Sequence, residues 1–154
     1  MQLDTVFNVT KGWPNHGAID ASLPKSPNES GTLTPGMIVM RDATDADGGL
    51  MKGDSGDGDP VELVKEYMMV VEGESAYNIS ELITVLRSNF GAVISTDLVV
   101  SPEGLVPGDA LKCSTGGNTG KLAKQDDVTA YQTIATVDAV DTDAGTLELT
   151  WAQK

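Results

Sequence analysis

Apolar and polar residues alternate most regularly near the C-terminus of this chain. In TLELTWA, Leu147, Leu149 and Trp151 share one side of a two-residue period, while Thr146, Glu148 and Thr150 share the other. That spacing predicts a half-buried strand. Just upstream, AYQTIATVDAV places Tyr131, Thr133, Ala135, Val137 and Ala139 on one face of a second predicted strand. The intervening DTDAG suits a β-hairpin in which Gly145 supplies a positive φ. The motif recurs in GDALKCSTGGNTGKLAK, where Leu111 and Cys113 alternate along a short strand and GGNTG comes next as a turn. Further strands are predicted at Met37–Arg41, after the Pro35-Gly36 turn, and at about Glu66–Val71.

One segment carries two periods at once. In NISELITVLRSNFG, Ile79, Leu82, Ile83 and Leu86 fall at helical spacing, and Asn78 with Glu81 has the form of a capping box. The β-branched run Ile83-Thr84-Val85, flowing through SNFG into AVISTDLVV, instead reads as strand–turn–strand. We take the hairpin reading for Asn78–Arg87 and the AVISTDLVV run beyond it. The predicted fold class is therefore all-β.

The first part of the chain has no sustained period. Residues 1–31 hold three of the seven prolines and many small polar groups, which suggests an extended N-terminal arm preceding a β domain over 32–154. The arm nevertheless carries Val6, Phe7, Val9 and Trp13, apolar groups that a free tail would not favour. They are the candidate partner-binding residues, with packing back onto the chain's own domain as the alternative.

Composition narrows the function. The chain has 154 residues, 40% of them hydrophobic, and a net charge of −13. Its length is enough for one domain with its own core. Such a field repels phosphodiester backbones and anionic lipid, so neither nucleic acid nor membrane is an expected partner. No apolar run approaches the roughly 20 residues a bilayer requires, and no signal peptide is evident. The single cysteine, Cys113, precludes an intrachain disulfide and fits synthesis in a reducing cytoplasm. Its place on the apolar face of a strand suggests a buried, inert thiol.

The stretch MKGDSGDGDP, within an Asp/Gly-rich loop at 42–60, spells two kinds of chemistry. GDSG surrounds the nucleophile of chymotrypsin-like proteases, but Ser55 would need a positioned base, and the one histidine, His16, lies only 39 positions upstream. A Ser–Lys dyad would have to recruit Lys52 or Lys65, and nothing singles out either. As a calcium loop, Asp45, Asp47, Gly48 and Asp54 fit positions 3, 5, 6 and 12 of an EF-hand, but Ala43 occupies position 1. Residues 41–66 hold eight acidic and three basic side chains. A solvated acidic loop is the simpler expectation, with no metal, no cofactor and no catalytic residue assigned. GGNTGK is too short before its lysine for a phosphate loop and continues with Leu122 where that loop needs Ser or Thr, so it reads as a turn.

Taken together, ELITVLRSNFGAVISTDLV, GLVPGDALKC, TGGNTGKLAK and the final IATVDAVDTDAGTLELTW resemble small structural proteins of tailed bacteriophages, above all head decoration (cement) proteins. Pro107-Gly108-Asp109, Gly116–Gly120 and Thr146–Trp151 occupy the places of that group's turn, second turn and terminal apolar strand. The resemblance spans about residues 32–152 and leaves out both the arm and the Asp-rich loop. It implies a small β-barrel or β-tulip-like domain on the outer capsid surface, often a homotrimer. Its partner would be the major capsid protein, and its role mechanical, without enzymatic activity.

Overall fold

A computed structural model describes residues 7–11, 19–54, 66–72, 82–86, 93–125 and 133–151. Among them eleven strands run in order: β1 (Phe7–Lys11), β2 (Ile19–Pro24), β3 (Ile38–Arg41), β4 (Leu50–Lys52), β5 (Met68–Glu72), β6 (Leu82–Leu86), β7 (Val93–Thr96), β8 (Ala110–Cys113), β9 (Leu122–Lys124), β10 (Ala135–Asp141) and β11 (Thr146–Trp151). There is no α-helix among the described residues, so the fold is all-β. The strands form two antiparallel sheets. One, sheet A, has the order β1-β7-β11-β10-β8-β9, and the other, sheet B, the order β2-β6-β5-β3-β4.

Sheet A follows its sequence pattern. Leu147, Leu149 and Trp151 of β11 are buried, as are Leu111 and Cys113 of β8, and the residues between them are partly exposed. The other face of this sheet therefore carries threonines, Glu148 and Lys112 towards solvent. The predicted face of β10 holds only as far as Val137. A bulge at Asp138 comes next, since Val137 pairs with Leu149 but Ala139 pairs with Glu148. The extra residue turns Ala139 outwards and brings Val140 back against the core. Thr133 precedes the strand, and Tyr131 lies outside the described residues.

Sheet B is buried on both faces. Ile38, Met69 and Leu86 join Ile94, Leu111, Leu149 and Trp151 in the core between the sheets. Their neighbours Val39, Met68, Val70 and Val85 point the other way, into a second core with Leu23, Leu33, Leu50 and Ile83. Each fully buried side chain of this size contributes about 1.5–3 kcal/mol, so the second core is a substantial part of the fold. The sheet curls around it until its two edges meet at one bridge, Lys25 with Leu50.

The two sheets are stitched at one corner. The Ile38 N–H donates to the Gly120 carbonyl at 2.9 Å, Gly120 N–H to Gly53 at 2.9 Å, and Gly53 N–H back to Ile38 at 2.8 Å. Gly53 is required there. A Cβ at this position would lie 2.7 Å from the Cys113 Sγ and 3.0 Å from Ile38 Cγ2. Despite the stitch, the sheets do not make the small barrel that the resemblance implied, because among the described residues only single bridges, not ladders, join their edges.

One further expectation is corrected. Leu82–Leu86 is a strand, and the exposure of Leu82 (58%) shows why a helical stripe is wrong: Leu82 and Ile83 point to opposite sides. Its continuation is not a hairpin, however. β6 pairs with β2 and β5 in sheet B, while β7 pairs with β1 and β11 in sheet A. The chain crosses between sheets where local reading expected a turn back. The expected arm over residues 1–31 includes β1 and β2. Leu23, Lys25, Ser26 and Leu33 are all buried, and β1 and β2 pair with β7 and β6.

Candidate functional site

The buried polar centre of the molecule is Asp42, just after β3. An aspartate so placed must have its charge satisfied locally, because an unpaired buried carboxylate is costly. Here four hydrogen bonds converge on it. Ser26 Oγ donates to Oδ2 at 2.6 Å and Asn28 Nδ2 to the same oxygen at 2.8 Å. Thr44 donates twice to Oδ1, from its N–H at 2.9 Å and its Oγ1 at 2.7 Å. The Thr44 pair is an Asx turn closed by its own side chain, a conformation that Asp-x-Thr favours. Ser26 in turn accepts the Asn28 N–H at 3.1 Å.

These donors, Ser26 first, then Asn28 and Thr44, hold the Asp42 carboxyl well below the usual carboxylate range. The chemical consequence is restrictive. A carboxylate so acidic does not take the proton of Ser26, and its lone pairs are already occupied. Asp42 is therefore a poor general base and a poor metal ligand, and it acts as a knot tying the segment after β2 to the loop after β3.

That loop shows what its aspartates do. Asp45 accepts the N–H of Asp47 at 3.1 Å and of Gly49 at 2.8 Å. Gly48 takes φ +65°, and Asp42 N–H closes onto the Gly49 carbonyl at 2.8 Å. Asp54, the residue proposed for the last EF-hand position, instead accepts a hydrogen bond from Thr115 Oγ1 across the sheet junction. The carboxylates cap backbone turns rather than converge, and no group of three metal-ligating side chains occurs among the described residues.

Beside the knot lies a groove of about 540 Å3. Met40 and Met51, opposite each other on β3 and β4, make its floor with Ala43. Asn28 and Thr44 flank it, and Arg41 and Glu66, 3.9 Å apart, form a loose ion pair along it. Pockets of this size with apolar floors and a few polar groups are typical of binding sites. Met40 also packs against the inter-sheet core, so the groove continues that core beyond the cover of sheet A.

Of the other sequence candidates, Ser55, Lys65, His16, Val6 and Trp13 lie outside the described residues. The backbone of Phe7 and Val9 runs in β1, opposite Thr96 and Ile94. Lys52 lies with its ammonium over Gly31, and its N–H donates to Glu29 at 2.9 Å. Cys113 is buried in the inter-sheet core, as its alternation predicted. GGNTG is a turn between β8 and β9, with Gly116 and Gly120 at positive φ. Ser26, Asn28, Met40 and Met51 were not singled out. The Asp-x-Thr turn was a readable signal, but its link to Ser26 spans 16 residues of sequence and has none.

Comparison with known proteins gives no match: no family model, no curated protein and no solved structure aligns significantly with the chain.

Proposed function

We propose that this chain is a structural virion protein that binds the outer surface of a tailed-phage capsid and stabilises it by bridging copies of the major capsid protein. The observation that carries this reading is the set of three features, two turns and a terminal apolar strand, on which the resemblance to decoration proteins rests. All three belong to one half of sheet A. The Pro107-Gly108-Asp109 turn is pinned to β10 by the Gly108 N–H on the Val137 carbonyl at 2.8 Å. It is closed by Asp109 Oδ2 accepting the Val106 N–H at 2.9 Å. It leads into β8, the glycine turn joins β8 to β9, and the β10–β11 hairpin ends the described chain. Rigid turns on a packed sheet suit a clamp, because little conformational entropy is lost when they dock.

The apolar arm residues Val6, Phe7, Val9 and Trp13 remain the proposed partner contacts, and a homotrimer the proposed state. Avidity from many equivalent sites would offset a weak individual contact. The test is co-sedimentation of the purified chain with expanded capsids of its phage, then thermal melting of the particles. Saturable binding at a fixed ratio to capsid subunits, with a raised particle melting temperature, is expected. Particles that bind none of it, or that melt unchanged when saturated, would overturn the reading. Rings or fibres formed by the chain alone would mark a tail or fibre component instead.

A further inference from the structure

The groove beside the Asp42 knot sorts the methionines of the chain, whatever the chain binds. There are six, and Met1 lies outside the described residues. Met68 and Met69 are fully buried, one in each core. Met37 is partly buried against the second core, and its sulfur accepts the Thr34 N–H at 3.5 Å. Met40 and Met51 differ from these three. Each is only partly buried, they pair across β3 and β4, and both line the groove of about 540 Å3. Opposite residues of an antiparallel pair project from the same face of a sheet, so both thioethers stand on the groove floor.

That placement is an oxidative liability with a structural consequence. A thioether is a soft nucleophile, and its reaction with a peroxide is governed by access. The sulfur lone pair attacks the hydroxyl-bearing oxygen, and an S–O bond forms as the O–O bond breaks. The leaving alkoxide or hydroxide takes the hydroxyl proton, so sulfur loses two electrons and the peroxide gains them. The sulfoxide is polar where the thioether was apolar. Met40 packs against the inter-sheet core, two residues from Ile38 in the stitch and two from Asp42 in the knot. A polar oxygen at Met40 therefore weakens the contact of β3 and β4 with that core.

We propose that Met40 and Met51 form a paired, peroxide-sensitive modification site, at which sulfoxidation turns the groove floor polar and loosens β3 and β4 against the inter-sheet core. The change is reversible, because methionine sulfoxide reductases return each sulfoxide epimer to the thioether.

The experiment treats the full chain with tert-butyl hydroperoxide, follows each methionine by fragment-level mass spectrometry, and then melts the product. Met40 and Met51 are expected to gain oxygen at least about tenfold faster than Met68 and Met69, which react only through opening of the fold. The oxidised chain should melt about 3–6 °C lower, and recover when reductases for both epimers are added. Met40→Gln, a polar side chain of similar length, should reproduce most of that fall, and Met51→Gln less of it. The double variant Met40→Leu, Met51→Leu conserves volume and apolarity, so it should fold and keep its melting temperature through the same treatment. Equal oxidation rates at the groove and core methionines would overturn the proposal. So would an unaltered melting temperature after both groove sulfurs are oxidised, or an equal fall in the double leucine variant.

Discussion

Sheet A has one dry face and sheet B has two, and the difference explains most of how this chain can be read. In β11 every second residue meets water, so alternation survives in the sequence and the strand is legible. In sheet B, Ile38 and Val39 enter different cores, as do Met68 and Met69. Strands buried on both faces become continuous apolar runs, whose period separates strand from helix poorly. That is why the segment around Leu82–Leu86 supported two readings. Sheet A thus supplies a solvated face with fixed turns, and sheet B a double-sided core that holds the Asp42 knot.

The largest test of this contrast is at Trp151, buried in the core between the sheets. Trp151→Ala should cost about 3–5 kcal/mol in chemical denaturation. Trp151→Phe should cost far less, because the indole Nε1 has no hydrogen-bond partner to lose among the described residues. Equal losses for the two would show that the indole nitrogen is bonded after all. Next is the stitch. Gly53→Ala drives a methyl into the Cys113 Sγ and should cost about 1–3 kcal/mol. Cys113→Ala in the same chain should recover part of that loss, and strict additivity would mean that the sheets are not in contact there.

The knot gives a pH signature. The folded-state carboxyl of Asp42 is depressed, so its contribution to stability is complete above the ordinary carboxylate range near 3.8. It is lost as pH falls from there towards the lower folded value. Asp42→Asn should lower the melting temperature at neutral pH, more than Asp47→Asn does, and flatten the decline below pH 4 measured by acid-dependent melting. An unchanged acid profile would remove Asp42 from the account. Smallest of all is the wet face. Thr150 Oγ1 donates to Asp138 at 2.6 Å in an exposed position, and Thr150→Ala should change stability by no more than about 0.5 kcal/mol.

The legible parts of the fold share a physical cause. Turns announced by glycine and proline, and strands with one wet face, are local properties. Gly36, Gly108, Gly116 and Gly145 all take the positive φ that their turn positions demanded. Sheet membership is not local: nothing in SNFG indicates that the chain leaves sheet B for sheet A. The candidate site divides the same way. The Asp-x-Thr and Asp-x-Asp turns of the 42–49 loop are written in consecutive residues, whereas the Ser26 and Asn28 donors arrive from a segment that composition alone marked as an arm.

The capsid assignment, on which the proposed function stands, is most directly examined by electron cryomicroscopy of expanded capsids incubated with the full chain. Two-sheet density repeating over the outer shell, its glycine-turn side against the capsid protein, is the predicted image. Bare shells at saturating protein, or density confined to the tail, would contradict it.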